Sequence, residues 1–149
     1  MADGDYISNA SDLDRVFGRI NIQNWADADN EDDKIQRDVR IDWANEYAEQ
    51  EFLGRLADGP YDHLIVRTTK PKMAILICTC IAGIHLYDTR RVIDSSENTD
   101  RVAKQRKNAD RWIRQIMAGQ LKLIDPSTRI QLTKTAQNSP FVVDDADWN

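Results

Sequence analysis

A chain of 149 residues, 41% apolar and 30% charged, has the length of one domain and enough apolar content for a single core. The acidic start Met1-Ala2-Asp3-Gly4-Asp5 has no apolar stretch and argues against a secretory signal. The only two cysteines, Cys78 and Cys80, argue against a disulfide scaffold and for a reduced cytoplasmic chain. The net charge of −5 conceals a split. Residues 1–62 hold sixteen acids and six bases, a net of −10; residues 63–124 hold five acids and twelve bases, a net of +7; residues 125–149 hold four acids and two bases, a net of −2. A sign split of this size predicts halves that face each other or face complementary partners.

The first predicted helix starts at Asn9, an N-cap with Asp12 at the third helical position, and ends at Gly18 in a left-handed conformation. Leu13, Val16 and Phe17 form its apolar edge. Ile20, Ile22 and Trp25 read as an apolar connector. The acidic run Asp27 to Asp33 reads as a solvated loop leading into the next helix, where negative charge is favourable. It lacks the glycine and the distal glutamate of a calcium loop.

A second helix is predicted from about Asp32 to Asp58. Ile35, Val39, Trp43 and Tyr47 step by four along it, and Ala44, Ala48 and Phe52 extend the apolar surface. Asp38, Asp42, Glu46 and Glu49 gather on a separate acidic stripe. Gly59-Pro60 stops the helix. Tyr61 to Thr68 reads as a crossing segment, with Leu64-Ile65-Val66 as a short extended piece.

The third helix is the centre of the predicted fold. From Met73 to Tyr87 no Asp, Glu, Lys or Arg occurs, and apolar residues fall on every side of the helical wheel. A helix apolar all round is a buried one. The run is shorter than the roughly 20 apolar residues of a membrane span and is flanked by Lys70, Lys72, Asp88, Arg90 and Arg91, so it reads as a core helix and no membrane is expected. Pro71 suits its first turn, with Thr69 as N-cap. Burial of Met73, Ile75, Leu76, Ile77, Ile81, Ile84 and Leu86 is worth roughly 10–20 kcal/mol gross, provided other elements cover the helix. Ile77, Ile81, Ile84, His85 and both cysteines are expected to be largely buried.

The last long helix is predicted from about Thr99 to Ala118, stopped by Gly119. Val102, Ala109, Ile113 and Ile116 lie on one side, flanked by Trp112. Lys104, Lys107, Arg111 and Arg114 lie on the other, spaced three, four and three. Beyond Leu121 and Leu123, Arg129 to Thr135 alternates at period two like a strand. Phe141-Val142-Val143 is a second apolar piece, and Trp148 stands in an acidic terminus. The expected architecture is an all-α, small helical bundle of one short and three long helices over residues 1–124, with an extended C-terminal arm over residues 125–149.

No catalytic constellation is visible. His85 sits in the core helix and His63, the only other histidine, in a loop, so His85 reads as a packed core residue. Cys78-Thr79-Cys80 lacks the spacing and second ligand pair of a zinc site. Two residues apart on a helix, the cysteines point about 200° apart and do not bridge. No catalytic residue, cofactor or metal is expected.

The order and spacing of these elements resemble the head–tail connector, or adaptor, proteins of tailed bacteriophages, including the Mu-like branch. The resemblance runs over about residues 6–124. It rests on Tyr6 with Asp12-Leu13 and Phe17-Gly18; on Ala44, Ala48, Phe52-Leu53 and Arg55-Leu56 before the Gly59-Pro60-Tyr61 turn; on Pro71 opening an Ala/Ile-rich helix that ends Leu86-Tyr87; and on Ile113, Gly119, Leu121 and Leu123. No single motif among them is specific. The resemblance implies a non-enzymatic virion protein of the head–tail neck, made in the bacterial cytoplasm. It implies a homo-oligomeric, twelvefold ring beneath the portal protein that meets tail or neck proteins. DNA would pass along its channel without sequence-specific binding.

The residues themselves suggest where such a subunit makes contacts. Asp38, Asp42, Glu46 and Glu49 of one subunit are expected to face Lys104, Lys107, Arg111 and Arg114 of the next. Ile130, Leu132, Phe141, Val142, Val143 and Trp148 are expected to bind a neighbour through the arm. The alternatives are a small helical nucleic-acid-binding protein that uses the same four bases, and an enzyme of unrecognised type.

Overall fold

The computed structural model describes residues 5–27, 31–90, 96–125 and 130–133. Among these, six helices follow in order: α1 (Ala10–Phe17), α2 (Arg19–Ala26), α3 (Lys34–Leu56), α4 (His63–Thr69), α5 (Lys72–Arg90) and α6 (Ser96–Met117). The protein is an all-α bundle, with no strand beyond isolated bridges among the described residues. Three helices are long, as expected, but three rather than one are short.

The helix that is apolar on every side is the one the others surround. α5 packs against α1, α2, α3 and α6. Ala74, Ile77, Cys78, Cys80, Ala82, Gly83, Ile84 and Leu86 are buried along it. The buried Thr79 satisfies its hydroxyl by donating to the Ile75 carbonyl at 2.7 Å. By length and composition α5 is apolar enough to cross a membrane, yet half of that stretch is buried inside the fold. Ile81 and His85, expected in the core, are only half-buried. Ile77→Ala is therefore expected to cost about 2–5 kcal/mol and Ile81→Ala about 1 kcal/mol, because only Ile77 leaves an enclosed cavity. Urea unfolding of the two variants checks the ranking.

At the start of the chain, Asn9 caps α1 reciprocally with Asp12, each side chain accepting the other's backbone N–H at 3.1 and 3.0 Å. Gly18, at φ +90°, turns the chain straight into α2. The expected apolar connector is thus itself helical. Ile22, Trp25 and Ala26 face the core, and Ile20 is left in solvent. Phe17, Trp25 and Tyr87 then meet edge-to-face at centroid distances of 5.5 and 5.1 Å, linking α1, α2 and α5.

Asp33 caps α3. The face that α3 buries is Ile41, Ala44, Ala48, Phe52 and Leu56, and the step-by-four row lies largely outside it. Ile35, Trp43 and Tyr47 are exposed. The buried set also contains a row that steps by four, Ala44-Ala48-Phe52-Leu56, and this row lies about 100° round the helix from the exposed one, on the side that packs against α5.

Leu64-Ile65-Val66, expected to be extended, is helical. The Asp62 carboxylate accepts from the N–H groups of Leu64 and Ile65, and only Val66 of the three is buried. Thr69 does not cap α5; its hydroxyl turns back to the Ile65 carbonyl. Lys70 takes the left-handed conformation (φ 49°, ψ 63°) and closes α4. The carbonyl of buried Pro71 accepts the first α5 bond, from Ile75 N–H at 3.0 Å.

α6 buries Val102, Ala109, Ile113 and Ile116 and ends at Gly119 (φ +79°), where the N–H groups of Gln120 and Leu121 both donate to the Gln115 carbonyl. The chain then folds back. Leu123 N–H donates to the Tyr61 hydroxyl at 3.1 Å, and Leu132 N–H donates to the Leu123 carbonyl at 3.0 Å. Thr133 bridges to Tyr61, and Leu132 is buried. Within the expected arm, Leu132 therefore belongs to this chain's own core.

Candidate subunit interface

The two charged faces take different forms. On α6 the apolar side occupies one face, which leaves Lys104, Lys107, Arg111 and Arg114 fully on the other, all exposed. Among the described residues no ion pair engages these four. The Arg111 guanidinium lies over its neighbour Trp112, 5.7 Å from the ring centroid.

On α3 the acidic face is smaller than the spacing suggests. Asp38 is held by Lys34 one turn before it at 2.7 Å. Asp42 and Glu46 are half-buried, and together with burial they push the Tyr6 phenol above its ordinary range, so they lie beside the N-terminal segment. Glu49 leaves the stripe altogether. Its carboxylate is buried, accepting from Ile7 N–H at 3.0 Å and from Arg67 Nε–H at 3.0 Å. One turn earlier, buried Asn45 accepts from the Ser8 hydroxyl at 2.8 Å. Arg67 also donates to the Asp5 carbonyl, and Lys70 pairs with the Asp5 carboxylate at 2.5 Å. These contacts clamp residues 5–8 across α3. The sequence does carry a signal for this clamp. Asn45 and Glu49 share the core-facing spacing of Phe52 and Leu56, and a carboxylate on a core face needs partners.

The seam where α3 meets α6 carries the reverse polarity, with Arg55 of α3 paired to Asp110 of α6 at 3.1 Å. The acidic and basic stripes are therefore not each other's partners there. Beside this seam lies a cleft of about 210 Å³ between α3, α5 and α6. Its floor is Ile81, Ile84 and Ala109, and its wall is His85, which stacks on Tyr47 at 4.2 Å with rings 20° apart. The Arg55–Asp110 and Arg106–Asp88 pairs stand at its sides with Glu51.

Burial lowers the His85 pKa, and Asp88 opposes that shift. With the folded value depressed, His85 contributes stability above its unfolded pKa of about 6.5, and that contribution is lost as pH falls through the folded value. Thermal unfolding between pH 8 and 5 is expected to show a decline that His85→Gln flattens. Its size is modest because the ring is only partly shielded from water.

Cys78 and Cys80 are buried and free, on opposite sides of α5, with their thiols directed at the Ala48 carbonyl and the Gln105 side chain. Burial raises Cys78 well above the ordinary thiol range and pushes Cys80 up to about 12, which makes both poor nucleophiles. In the acidic run, Asp27 Oδ1 accepts from the N–H groups of Glu31 and Asp32. Among the described residues no group of three or more His, Cys, Asp and Glu is placed to hold a metal ion. Of the expected arm contacts, Ile130 is exposed and Leu132 is buried in its own subunit; Phe141, Val142, Val143 and Trp148 lie outside the described residues.

The fold and these surfaces define a small all-α protein with two oppositely charged helix faces. Compared with protein-family models, with curated proteins and with solved structures, the chain finds no match.

Proposed function

We propose that this chain is a structural subunit of a homo-oligomeric ring that joins the capsid portal to tail or neck proteins of a tailed phage and extends the DNA exit channel. The observation that carries this reading is the exposed basic face of α6, left without ion pairs within the described fold, together with an acidic row on a different helix. Two different complementary patches on one subunit give head-to-tail contacts, and such contacts close into rings when the rotation per subunit permits. Exposed ion pairs contribute only about 0–1 kcal/mol each, so the charged faces set register and encounter rate more than affinity. The resemblance of the sequence over residues 6–124 to phage connector proteins supports the same reading.

Electron microscopy and native mass spectrometry of the purified protein, with and without a portal, test this function. Rings are expected, and the double reversal Lys107→Glu/Arg111→Glu is expected to abolish them at low salt. Assembly unaffected by that reversal overturns the charge-guided contact.

A second reading uses the same four cations to bind nucleic acid backbone. It predicts duplex-DNA affinity that falls steeply with salt, by roughly one power of salt for each phosphate contacted. The net charge of −5 weighs against it, and the one aromatic side chain among the four bases, Trp112, is half-buried and carries the Arg111 guanidinium over its ring.

A further inference from the structure

The row Ile35-Val39-Trp43 is a helix-packing ridge with no helix on it, and it ends at Tyr47, whose ring stacks on His85 of α5. Side chains four apart form the ridges that interlock when two helices cross at about −50°. On α3 this ridge is exposed at Ile35 (71%), Trp43 (63%) and Tyr47 (43%). An uncovered Trp flanked by Ile and Tyr is unusual for a solvent-facing helix and has the composition of the centre of an interface. Immediately beside it, and also spaced by four, runs the row Asp38-Asp42-Glu46. The groove between the two rows thus has one apolar wall and one acidic wall.

We propose that this groove is the centre of the subunit interface, and that its occupant is the basic face of α6 from a second copy of the chain. The inference rests on the ring reading and names the residues that give it affinity. The α6 face presents its own i+4 ridge, Ala103-Lys107-Arg111, all exposed. Laid in the α3 groove, the aliphatic stems of Lys107 and Arg111 cover Val39 and Trp43, while their charged heads reach Asp42 and Glu46. Long basic side chains bury their stems on apolar surface in this manner, and a cation over the Trp43 face adds to the contact.

Two copies of α3 packed ridge to ridge are disfavoured, because each acidic row would then lie against the other. Charge therefore selects an α3–α6 contact between copies over an α3–α3 one. The contact also separates roles. The apolar ridge supplies affinity, and the charged rows supply register.

The test uses the full chain and sedimentation velocity across a concentration series. Trp43→Ala is expected to raise the concentration for half-assembly by about tenfold or more, with helical content and melting temperature unchanged because Trp43 is largely outside the core. Glu46→Lys and Lys107→Glu are each expected to weaken assembly, and the two together in one chain are expected to restore it. A photo-crosslinking residue in place of Trp43 is expected to capture α6 of another copy, identified by mass spectrometry.

Assembly that resists Trp43→Ala, or a crosslink to any other segment, overturns the groove. That includes a crosslink to residues 134–149 of the same chain or to α3 of a partner. If rings persist in that case and remain sensitive to charge reversal on α6, the ring reading stands without it. A chain that stays monomeric at every concentration and in the presence of a portal overturns both.

Discussion

Truncating Phe17 to alanine is expected to lower stability by about 3–5 kcal/mol, and adding one methyl group at Gly83 to lower it by about 1–3 kcal/mol. The two effects have one cause. Gly83 lies in the middle of α5, where alanine would ordinarily favour the helix by about 1 kcal/mol. In this fold a Cβ at position 83 would overlap the Phe17 ring. Phe17 is fully buried and is held edge-on against Trp25, so the ring has no free space to swing into. Glycine there is the condition for α1 to approach α5. The pair is therefore expected to be strongly non-additive. Phe17→Leu is expected to cost stability alone but to recover part of the loss caused by Gly83→Ala. Urea unfolding followed by circular dichroism on the four proteins closes the cycle. A stabilising Gly83→Ala would show that helix propensity outweighs the contact.

Replacing Glu49 by alanine is expected to cost about 2–4 kcal/mol. The change leaves the Ile7 N–H without its acceptor inside the fold, and an unpaired buried donor alone costs about 1–3 kcal/mol. Arg67, which is half-exposed, loses its partner but keeps access to water, so its share is smaller than that of a fully buried pair. Glu49→Gln retains an acceptor for Ile7 and is expected to recover roughly half of the loss. Hydrogen exchange at the Ile7 amide separates this account from a general packing defect. Its protection is expected to fall in Glu49→Ala well before that of the α5 core amides. Equal loss of protection throughout would mean that Glu49 supports the fold without specifically holding residues 5–8.

The sequence by itself determined the central helix, because a helix apolar on every side of its wheel calls for burial, and α5 packs against four other helices that bury Ile77, Ile84 and Leu86 and leave Ile75, Leu76 and Ile81 half-buried. It determined the two faces of α6, the Asn9 cap and the Gly119 stop, since each depends on neighbours within a turn or two. It did not determine which face of α3 is buried. Two apolar rows, one through Trp43 and one through Ala44, lie about 100° apart on the wheel, and the choice between them belongs to the surface of α5. The connector Ile20–Trp25 and the segment Leu64–Val66 lack long amphipathic runs, so their helical state follows from the pockets that take Ile22, Trp25 and Val66 and, for the second, from the Asp62 cap. Only the tertiary structure removed Glu49 from the acidic stripe, because its partners Ile7 and Arg67 lie 42 and 18 residues away in the chain. It also brought Leu132 back to Leu123 and Tyr61. Local periodicity specifies the surfaces a helix offers; which of them is covered is decided by long-range packing, where burial and hydrogen bonding are satisfied together.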